Sequence, residues 1–166
     1  MIVDRIVYHK SEQKYNSDIF CQRSREDFTK IKDNCKKHVT DMFVWDSNVE
    51  REFADSLEEN HEVEVYAKLP RSFKIPTPVG DYAPDWAIVL NINNQKHIYF
   101  IAETKGTLDS MELNAIENAK IKCSTQLFDS IDNLRNLNDS KVIYHQVKDW
   151  KSMYDIISEK TRTDII

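Results

Sequence analysis

The chain has 166 residues, of which 40% are hydrophobic and 31% charged, a composition typical of one globular domain rather than of a disordered or membrane protein. The formal net charge of -5 argues against strong, autonomous DNA binding, because non-specific affinity for DNA comes mostly from Lys and Arg neutralising phosphates. Only two glycines occur, Gly80 and Gly106, which excludes a Walker A loop and hence a P-loop ATPase motor in the chain. No apolar run is long enough to cross a bilayer, so we expect a cytoplasmic protein.

The first 45 residues are polar and lack clear turn signals. Within them, the charged stretch from Arg23 to Lys37 favours a solvated helix, and residues 1–45 are predicted to be an N-terminal helical extension without chemistry of its own. Asp46 and Ser47 break this stretch and can cap a following helix. The sequence therefore predicts that the one core-bearing domain covers residues 46–166.

A helix is predicted from Asn48 to Glu59, because apolar residues recur there at spacings of three and four: Val49, Phe53, Ala54 and Leu57. Glu50 falls on the same face of this helix, whereas Glu52 does not. A single acidic residue at the edge of an apolar stripe is either a solvated flank or a ligand, and helix periodicity alone does not decide between them.

Alternating apolar and polar residues predict a half-buried strand from Val63 to Leu69. Three prolines and Gly80 then exclude regular structure over residues 70–80. The strand end and this loop carry Lys68, Arg71 and Lys74 just before Asp85. These cations either contact DNA phosphates or serve as ordinary solubilising charges.

Two apolar segments, Trp86–Ile92 and His97–Ala102, predict an antiparallel hairpin with a tight turn between them. Asp85 precedes the first strand and Glu103 follows the second. Because side chains alternate between faces, Asp85 and Glu103 stand opposite one another only if the loop has an odd length or the ladder contains a β-bulge. A plain two-residue turn without a bulge would put them on different faces.

The remaining chain predicts a helix from Met111 to Leu134, a strand from Lys141 to Val147 and a short closing helix over residues 149–158. Lys120 lies within the apolar stripe of the long helix. It either extends from the core edge into solvent or contacts a phosphate at the rim of a site.

Asp85 and Glu103 are candidate ligands of one cation, since Cβ atoms of opposed strand residues lie ~4.5–5.5 Å apart. The Thr104 carbonyl is a further candidate ligand, and a hard cation such as Mg²⁺ keeps open positions for water and phosphate. Lys105 shares the face of Glu103 and serves either as a stabilising cation or as a general base, the nearby carboxylates favouring the charged form. Glu50 is a candidate for binding a second metal or holding the attacking water. This set predicts metal-dependent hydrolysis of phosphodiesters.

Five pieces of sequence form a linked set around these residues: Glu50–Ala54, Lys68–Tyr82, Pro84–Ile88, Ala102–Gly106 and Glu117–Cys123. The set resembles the C-terminal endonuclease domain of the restriction subunit of Type III restriction-modification enzymes, and it covers about half of the chain. Two positions depart from the family pattern. Ala83 stands where the family often has Asn before Pro-Asp, and Leu127 stands where the family has a His near the helix end.

The resemblance implies an α/β fold of the PD-(D/E)xK superfamily, a restriction-endonuclease-like mixed β-sheet flanked by helices, with Mg²⁺ as cofactor. By motif position it implies Asp85 and Glu103 as metal ligands, Lys105 as the catalytic lysine and Glu50 as a further catalytic residue. Lys68, Arg71 and Lys120 become candidates for contacts with DNA phosphates.

The partners implied by the resemblance are double-stranded DNA, a helicase-like motor and a methyltransferase (modification) subunit. ATP would be used only by the separate helicase part. Two other functions remain open from the sequence: a non-catalytic docking module of such a complex, and a nuclease acting on RNA or branched DNA. The metal site does not decide among nucleic acids, because it touches only phosphate.

Overall fold

The computed structural model describes Asn16, Ile19 and residues 30–78, 80–92, 95–104, 115–134 and 142–162. Two short strands come first, β1 (Ile31–Lys32) and β2 (Phe43–Val44), and pair antiparallel with each other. The elements that follow are, in chain order, α1 (Asn48–Glu59), β3 (Val63–Lys68), β4 (Trp86–Ile92), β5 (Gln95–Thr104), α2 (Ala115–Leu134), β6 (Val142–Val147) and α3 (Trp150–Arg162).

The central sheet has the strand order β3-β4-β5-β6. Its first three strands are antiparallel neighbours, whereas β6 runs parallel to β5 after a crossover through α2. The fold is therefore a mixed α/β sheet with helices, which confirms the predicted restriction-endonuclease-like class. The predicted helix over Asn48–Glu59 is confirmed at both ends, and β5 begins earlier than predicted, at Gln95.

Helix α1 begins where the sequence predicted because Ser47 caps it. The Ser47 hydroxyl accepts a hydrogen bond from the Glu50 N–H at 3.2 Å, which satisfies one of the amides that the first helical turn leaves unpaired. The face formed by Phe53, Ala54 and Leu57 is buried against the sheet. This packing fixes the N-terminal turn of α1, and Glu50 with it.

The sheet separates two apolar clusters. The larger cluster contains residues of α1, α3 and one sheet face, with Trp86 fully buried among Phe43, Phe53 and Tyr66. The smaller cluster lies on the other face, where α2 and the loop after β3 contact β6: Ile75, Tyr82, Leu127, Phe128 and Tyr144. Both faces of the strands that carry the predicted site are thus held in place by packing.

The hairpin contains the irregularity that the sequence required. Ile92 pairs with Gln95 across a two-residue turn, but the register shifts between Leu90 and Ile92, and Trp86 pairs with Ala102. A bulge of this kind offsets one strand by a residue and so exchanges the faces beyond it. The prediction that a short turn needs a bulge to bring Asp85 level with Glu103 is confirmed.

Residues 30–45 differ from the predicted helix. The stretch from Arg23 to Lys37 was expected to be helical, yet Ile31–Lys32 forms a strand and residues 33–37 are irregular; residues 20–29 lie outside the described residues. Phe43 joins the larger cluster, so this segment packs as part of the core. A high charge density is compatible with an exposed helix and equally with a solvent-exposed strand or loop. For this reason the charge pattern gave a wrong helix prediction for residues 31–37. The division of the chain at residue 45 stays a prediction.

The segment from Lys37 to Val39 extends the sheet beyond β3. The Val39 N–H donates to the Tyr66 carbonyl at 2.9 Å, and the Tyr66 N–H donates to the Lys37 carbonyl at 3.0 Å. His38 lies at this edge, stacked on Phe43 with ring centroids 4.7 Å apart. Its Nε2 accepts from the Lys68 N–H at 3.0 Å, and its Nδ1 lies 3.0 Å from the Thr40 carbonyl oxygen and 3.1 Å from the Thr40 backbone nitrogen.

Protonation of His38 is expected to weaken the fold. Burial lowers the pKa of His38, against the opposing Thr40 hydrogen bond and the charge of Glu58. An unfolded His has a pKa of about 6.5, so below that pH the unfolded chain binds a proton that the folded chain does not. The free energy of unfolding should therefore be fully retained above about pH 6.5 and fall as the pH drops below it.

Urea unfolding between about pH 5 and about pH 8 measures this dependence. His38→Gln should flatten the slope, because Gln keeps an acceptor for the Lys68 N–H without titrating. His61, whose side chain is 92% exposed, provides the matched control, and His61→Gln should keep the slope. An unchanged slope in His38→Gln would contradict the assignment.

Candidate active site

Asp85 lies immediately before β4, after Pro84, and its carbonyl accepts the Leu69 N–H at 2.7 Å. Its carboxylate Oδ2 accepts two hydrogen bonds from Thr104, one from the N–H at 2.8 Å and one from the hydroxyl at 2.9 Å. A carboxylate offers about four acceptor positions, so these two bonds orient Asp85 without exhausting it. Thr104 therefore holds the Asp85 carboxylate where β4 begins and β5 ends.

The Thr104 hydroxyl also accepts a hydrogen bond from the Trp86 indole N–H at 3.3 Å. Because Trp86 is fully buried, a chain of hydrogen bonds runs from the core through Thr104 to Asp85. The sequence offered the Thr104 carbonyl as a metal ligand and gave its side chain no role. Alternation placed that side chain on the Trp86 face, which was the signal available for this contact.

Asp85 belongs to a row of residues that crosses three strands. The register of β4 and β5, carried one residue beyond Trp86 and Ala102, brings Asp85 level with Glu103. Strand β6 then pairs Gln146 with Glu103. Paired residues on neighbouring strands share a face of the sheet, and here it is the face that α2 covers. We call Asp85, Glu103 and Gln146 the cross-strand row.

The structure leaves two predicted site groups unplaced. The side chain of Glu103 and the whole of Lys105 lie outside the described residues, although the backbone of Glu103 is part of β5. Their predicted roles, metal ligand and catalytic lysine, stay predictions. What the described residues add is the register that puts Glu103 between Asp85 and Gln146.

Glu50 is engaged in a buried ion pair. Its carboxylate contacts the Lys68 ammonium, and Oε2 also accepts the Asp46 N–H at 2.7 Å. The Lys68 ammonium makes a second ion pair with the Asp46 carboxylate, at 2.9 Å. The side chains of Lys68 and Glu50 are only 13% and 10% exposed. We call Asp46, Glu50 and Lys68 the α1 ion cluster, because it joins the start of α1 to the end of β3.

Electrostatics in the α1 ion cluster favour the charged carboxylate of Asp46. Partial burial acts to raise its pKa, but the hydrogen bond and charge of Lys68 and the charge of Arg71 outweigh burial, so the pKa of Asp46 lies below its usual range. The sequence named Glu50 and Lys68 as separate functional candidates and offered Asp46 only as a possible cap of α1. No short-range pattern connects residues of a helix and a strand 18 positions apart.

Comparison with known proteins decides the family. A protein-family model described as an endonuclease domain matches residues 36–150, which is more than half of the chain. The chain belongs to this endonuclease family. None of the curated proteins or solved structures compared with the chain matches it.

The match of the endonuclease domain spans all four strands of the central sheet together with α1 and α2. It therefore includes the cross-strand row, the α1 ion cluster and Lys105. It also includes the segment from Lys37 to Val39 that extends the sheet beside β3. The sequence analysis had assigned this segment to the N-terminal extension. Membership of this family supports nuclease chemistry. Separately, no helix in the described part of the chain is long and apolar enough to cross a membrane.

The donor chemistry of the endonuclease domain suits a hard cation. In the described part of the chain, no three His, Cys, Asp or Glu side chains come together as a metal site. Mg²⁺ does not need three, since it keeps several waters and commonly uses one or two carboxylates with substrate phosphate oxygens. The anchored Asp85 carboxylate, with Glu103 beside it in register, fits this requirement.

The loop between β3 and β4 is tied to α2 near the site. Lys120 donates from its ammonium to the Asp81 carbonyl at 2.9 Å, and Gly80 adopts a φ of 114° that a residue with a Cβ rarely reaches. Lys74 lies 3.6 Å from the Asp81 carboxylate. Lys120 thus holds the loop in place, whichever other contacts it makes.

The three basic residues offered as phosphate contacts sit in different surroundings. Lys68 is inside the α1 ion cluster and Lys120 holds the loop, whereas the Arg71 side chain is 91% exposed and lies 3.8 Å from Asp46. Arg71 is therefore already presented to solvent, while Lys68 would have to exchange its carboxylate partners for a phosphate. Contact of all three with DNA stays a prediction.

Proposed function

We propose that this endonuclease domain hydrolyses phosphodiester bonds of double-stranded DNA with Mg²⁺, as the cutting part of a Type III restriction enzyme. The observation that carries the proposal is the Asp85 carboxylate, fixed by two Thr104 hydrogen bonds at the point where the register brings Glu103 level with it. A buried tryptophan holds that arrangement from the core.

Asp85 and Glu103 would hold Mg²⁺ in this proposal. The bound ion supplies a more acidic water and charge neutralisation at the scissile phosphate. Thr104 keeps Asp85 from rotating away from the site, which preserves the geometry on which rate depends. Lys105, two residues after Glu103 in the sequence, would place a positive charge against the phosphate, since neighbouring carboxylates favour its charged form.

The proposal assigns DNA capture to partners. A chain with a net charge of -5 has little non-specific affinity for DNA, and in its described residues Lys68 and Lys74 are paired with carboxylates. A helicase-like motor and a modification subunit would supply translocation and recognition. ATP would be consumed by the motor and not by this chain, which has no Walker A loop.

Incubation of supercoiled plasmid with the protein and Mg²⁺ tests the proposal, with EDTA as the metal-free arm. We expect nicked and linear DNA with Mg²⁺ and none with EDTA. Lys105→Ala should cut about 10²- to 10³-fold more slowly, the usual loss for one group that stabilises transition-state charge. Lys122→Ala, a matched change at an exposed residue of α2, should cut like the wild type.

Two further measurements separate the parts of the proposal. Adding the motor and modification subunits should raise the rate if partners supply the DNA affinity. Calorimetric titration with Mn²⁺ needs neither DNA nor a partner and so tests the metal site by itself. Cutting that persists in EDTA would rule out the metal mechanism, and cutting of RNA in preference to plasmid would rule out the proposed substrate.

A further inference from the structure

Gln146 occupies the β6 end of the cross-strand row, and neither the sequence pattern nor the proposed function uses it. Its side-chain Nε2 is buried and has no hydrogen-bond partner among the described residues. Gln146 is the second-last residue of β6. In the parallel register it pairs with Glu103 of the neighbouring strand β5. A buried amide donor therefore stands next to a predicted metal ligand.

An unpaired buried donor is uncommon enough to need an explanation. Most buried polar side-chain atoms in folded proteins have a partner, and exceptions are often found where a ligand or ion completes the site. The neighbouring rows of β6 show no such feature: Ile143 and Val147 are buried apolar residues, and the Tyr144 hydroxyl donates to the Tyr82 hydroxyl at 2.6 Å. The unpaired donor thus coincides with the row that contains Asp85.

The position of Gln146 limits what the amide can do. Neighbouring strands lie about 4.8 Å apart, so a Gln and a Glu paired across them are within reach of a direct side-chain hydrogen bond. An amide N–H₂ donates only and cannot bind a cation, but it can hold a carboxylate that does. Carboxylate ligands of metals are commonly fixed in this way by a second hydrogen-bonding group.

We propose that Gln146 is a positioning residue that donates from Nε2 to the Glu103 carboxylate when the site holds its cation. The inference rests on the proposed function, because it requires Asp85 and Glu103 to share Mg²⁺. It gives the two carboxylates equivalent supports: Thr104 donates to Asp85, and Gln146 donates to Glu103 from the opposite side. Glu103 would then have the cation on the side of Asp85 and a neutral donor on the side of β6.

The variant Gln146→Met tests the proposal, because Met keeps the length and removes the donor. The dissociation constant for Mn²⁺, measured by calorimetry without DNA, should rise about 10- to 100-fold, the usual effect of losing such a support. The Mg²⁺ concentration for half-maximal plasmid cutting should rise in parallel, and added Mg²⁺ should restore part of the rate. The melting temperature of the metal-free protein should stay the same or increase, since a buried unpaired donor is lost.

Opposite changes in metal affinity and in thermal stability distinguish positioning from packing. Gln126→Met, the same substitution at an exposed residue of α2, is the matched control and should change neither quantity. A Gln146→Met protein that binds Mn²⁺ as tightly as the wild type would overturn the inference, whether or not its melting temperature falls.

Asp85→Asn in the same titration separates this inference from the proposed function. If Asp85→Asn loses Mn²⁺ affinity and Gln146→Met keeps it, the role of Gln146 is wrong and the metal site stands. If Asp85→Asn binds Mn²⁺ like the wild type, the metal site is wrong and the role of Gln146 falls with it.

Discussion

Asp85→Asn is expected to reduce plasmid cutting by about a thousandfold or more, because a bound metal contributes several kcal/mol to the stabilisation of a phosphoryl transition state. Asn has almost the same shape as Asp and keeps one oxygen for the Thr104 hydrogen bonds. The start of β4 and the end of β5 should therefore remain folded. What is lost is the negative charge that attracts the cation. The expected result is a folded protein that neither binds Mn²⁺ nor cuts DNA.

Thr104→Val is the companion to this change, since Val has the shape of Thr without the hydroxyl. It removes the hydroxyl hydrogen bond to Asp85 and the acceptor of the Trp86 indole N–H, and it keeps the hydrogen bond that the Thr104 backbone N–H donates to Asp85. A loss of about 10- to 100-fold is expected, as for other groups that orient a metal ligand. The expected order of cutting rates is therefore wild type fastest, Thr104→Val intermediate and Asp85→Asn slowest.

Single-turnover cutting rates, Mn²⁺ calorimetry and thermal melting together check these two variants. Lys122→Ala again serves as the control for handling and folding. Equal rates for Asp85→Asn and the wild type would remove Asp85 from the reaction, and a melting temperature that fell sharply in Asp85→Asn would show that its loss of activity came from unfolding. Metal affinity retained alongside lost cutting would assign Asp85 to a role other than binding the ion.

Sequence patterns predicted the elements around the site because each depends on neighbours in the chain. The periodic face of Phe53, Ala54 and Leu57 gave α1 with its bounds, and two apolar runs gave the hairpin. Even the bulge was predictable as a condition. A short turn and a shared face for Asp85 and Glu103 are incompatible without it, and the register shift between Leu90 and Ile92 resolves the conflict.

Contacts between distant elements were not predictable in the same way. Glu50 is one of several acidic residues of α1. Nothing in the sequence near Glu50 indicates that Lys68, at the end of β3, forms an ion pair with it. Gln146 looks like an ordinary polar residue of a strand, and only the parallel pairing with Glu103 gives it a place in the row. The edge formed by Lys37–Val39 depends on the open side of β3, which exists only once the sheet has formed.

The α1 ion cluster gives the second large expected effect. Lys68→Met should lower the free energy of unfolding by about 3 kcal/mol or more, because removing one partner of a buried ion pair leaves the other charge uncompensated. The buried Glu50 carboxylate would keep only the Asp46 N–H as a partner among the described residues. For a chain of this size the loss corresponds to a fall in melting temperature of roughly 6–12 °C.

A double-mutant cycle in chemical denaturation tests this account of Lys68. Glu50→Gln in the Lys68→Met background should recover much of the loss, because a neutral amide is less costly to bury and still accepts the Asp46 N–H. Lys122→Met, the same change at an exposed position, should stay within about 0.5 kcal/mol of the wild type. Lys68→Met with wild-type stability, or a loss that Glu50→Gln does not reduce, would contradict the role of the ion pair.

DNA binding by the same variants decides whether Lys68 also meets a phosphate. A phosphate contact contributes about 0.9 to the slope of log affinity against log salt concentration, so losing one should reduce that slope by about this amount. A lysine that serves only the α1 ion cluster should leave the slope unchanged in the rescued Glu50→Gln, Lys68→Met protein. Arg71→Ala gives the reference, because its side chain is already exposed beside the cluster and its loss should reduce the slope without lowering stability. A slope reduced equally in both proteins would mean that Lys68 leaves Glu50 when DNA binds.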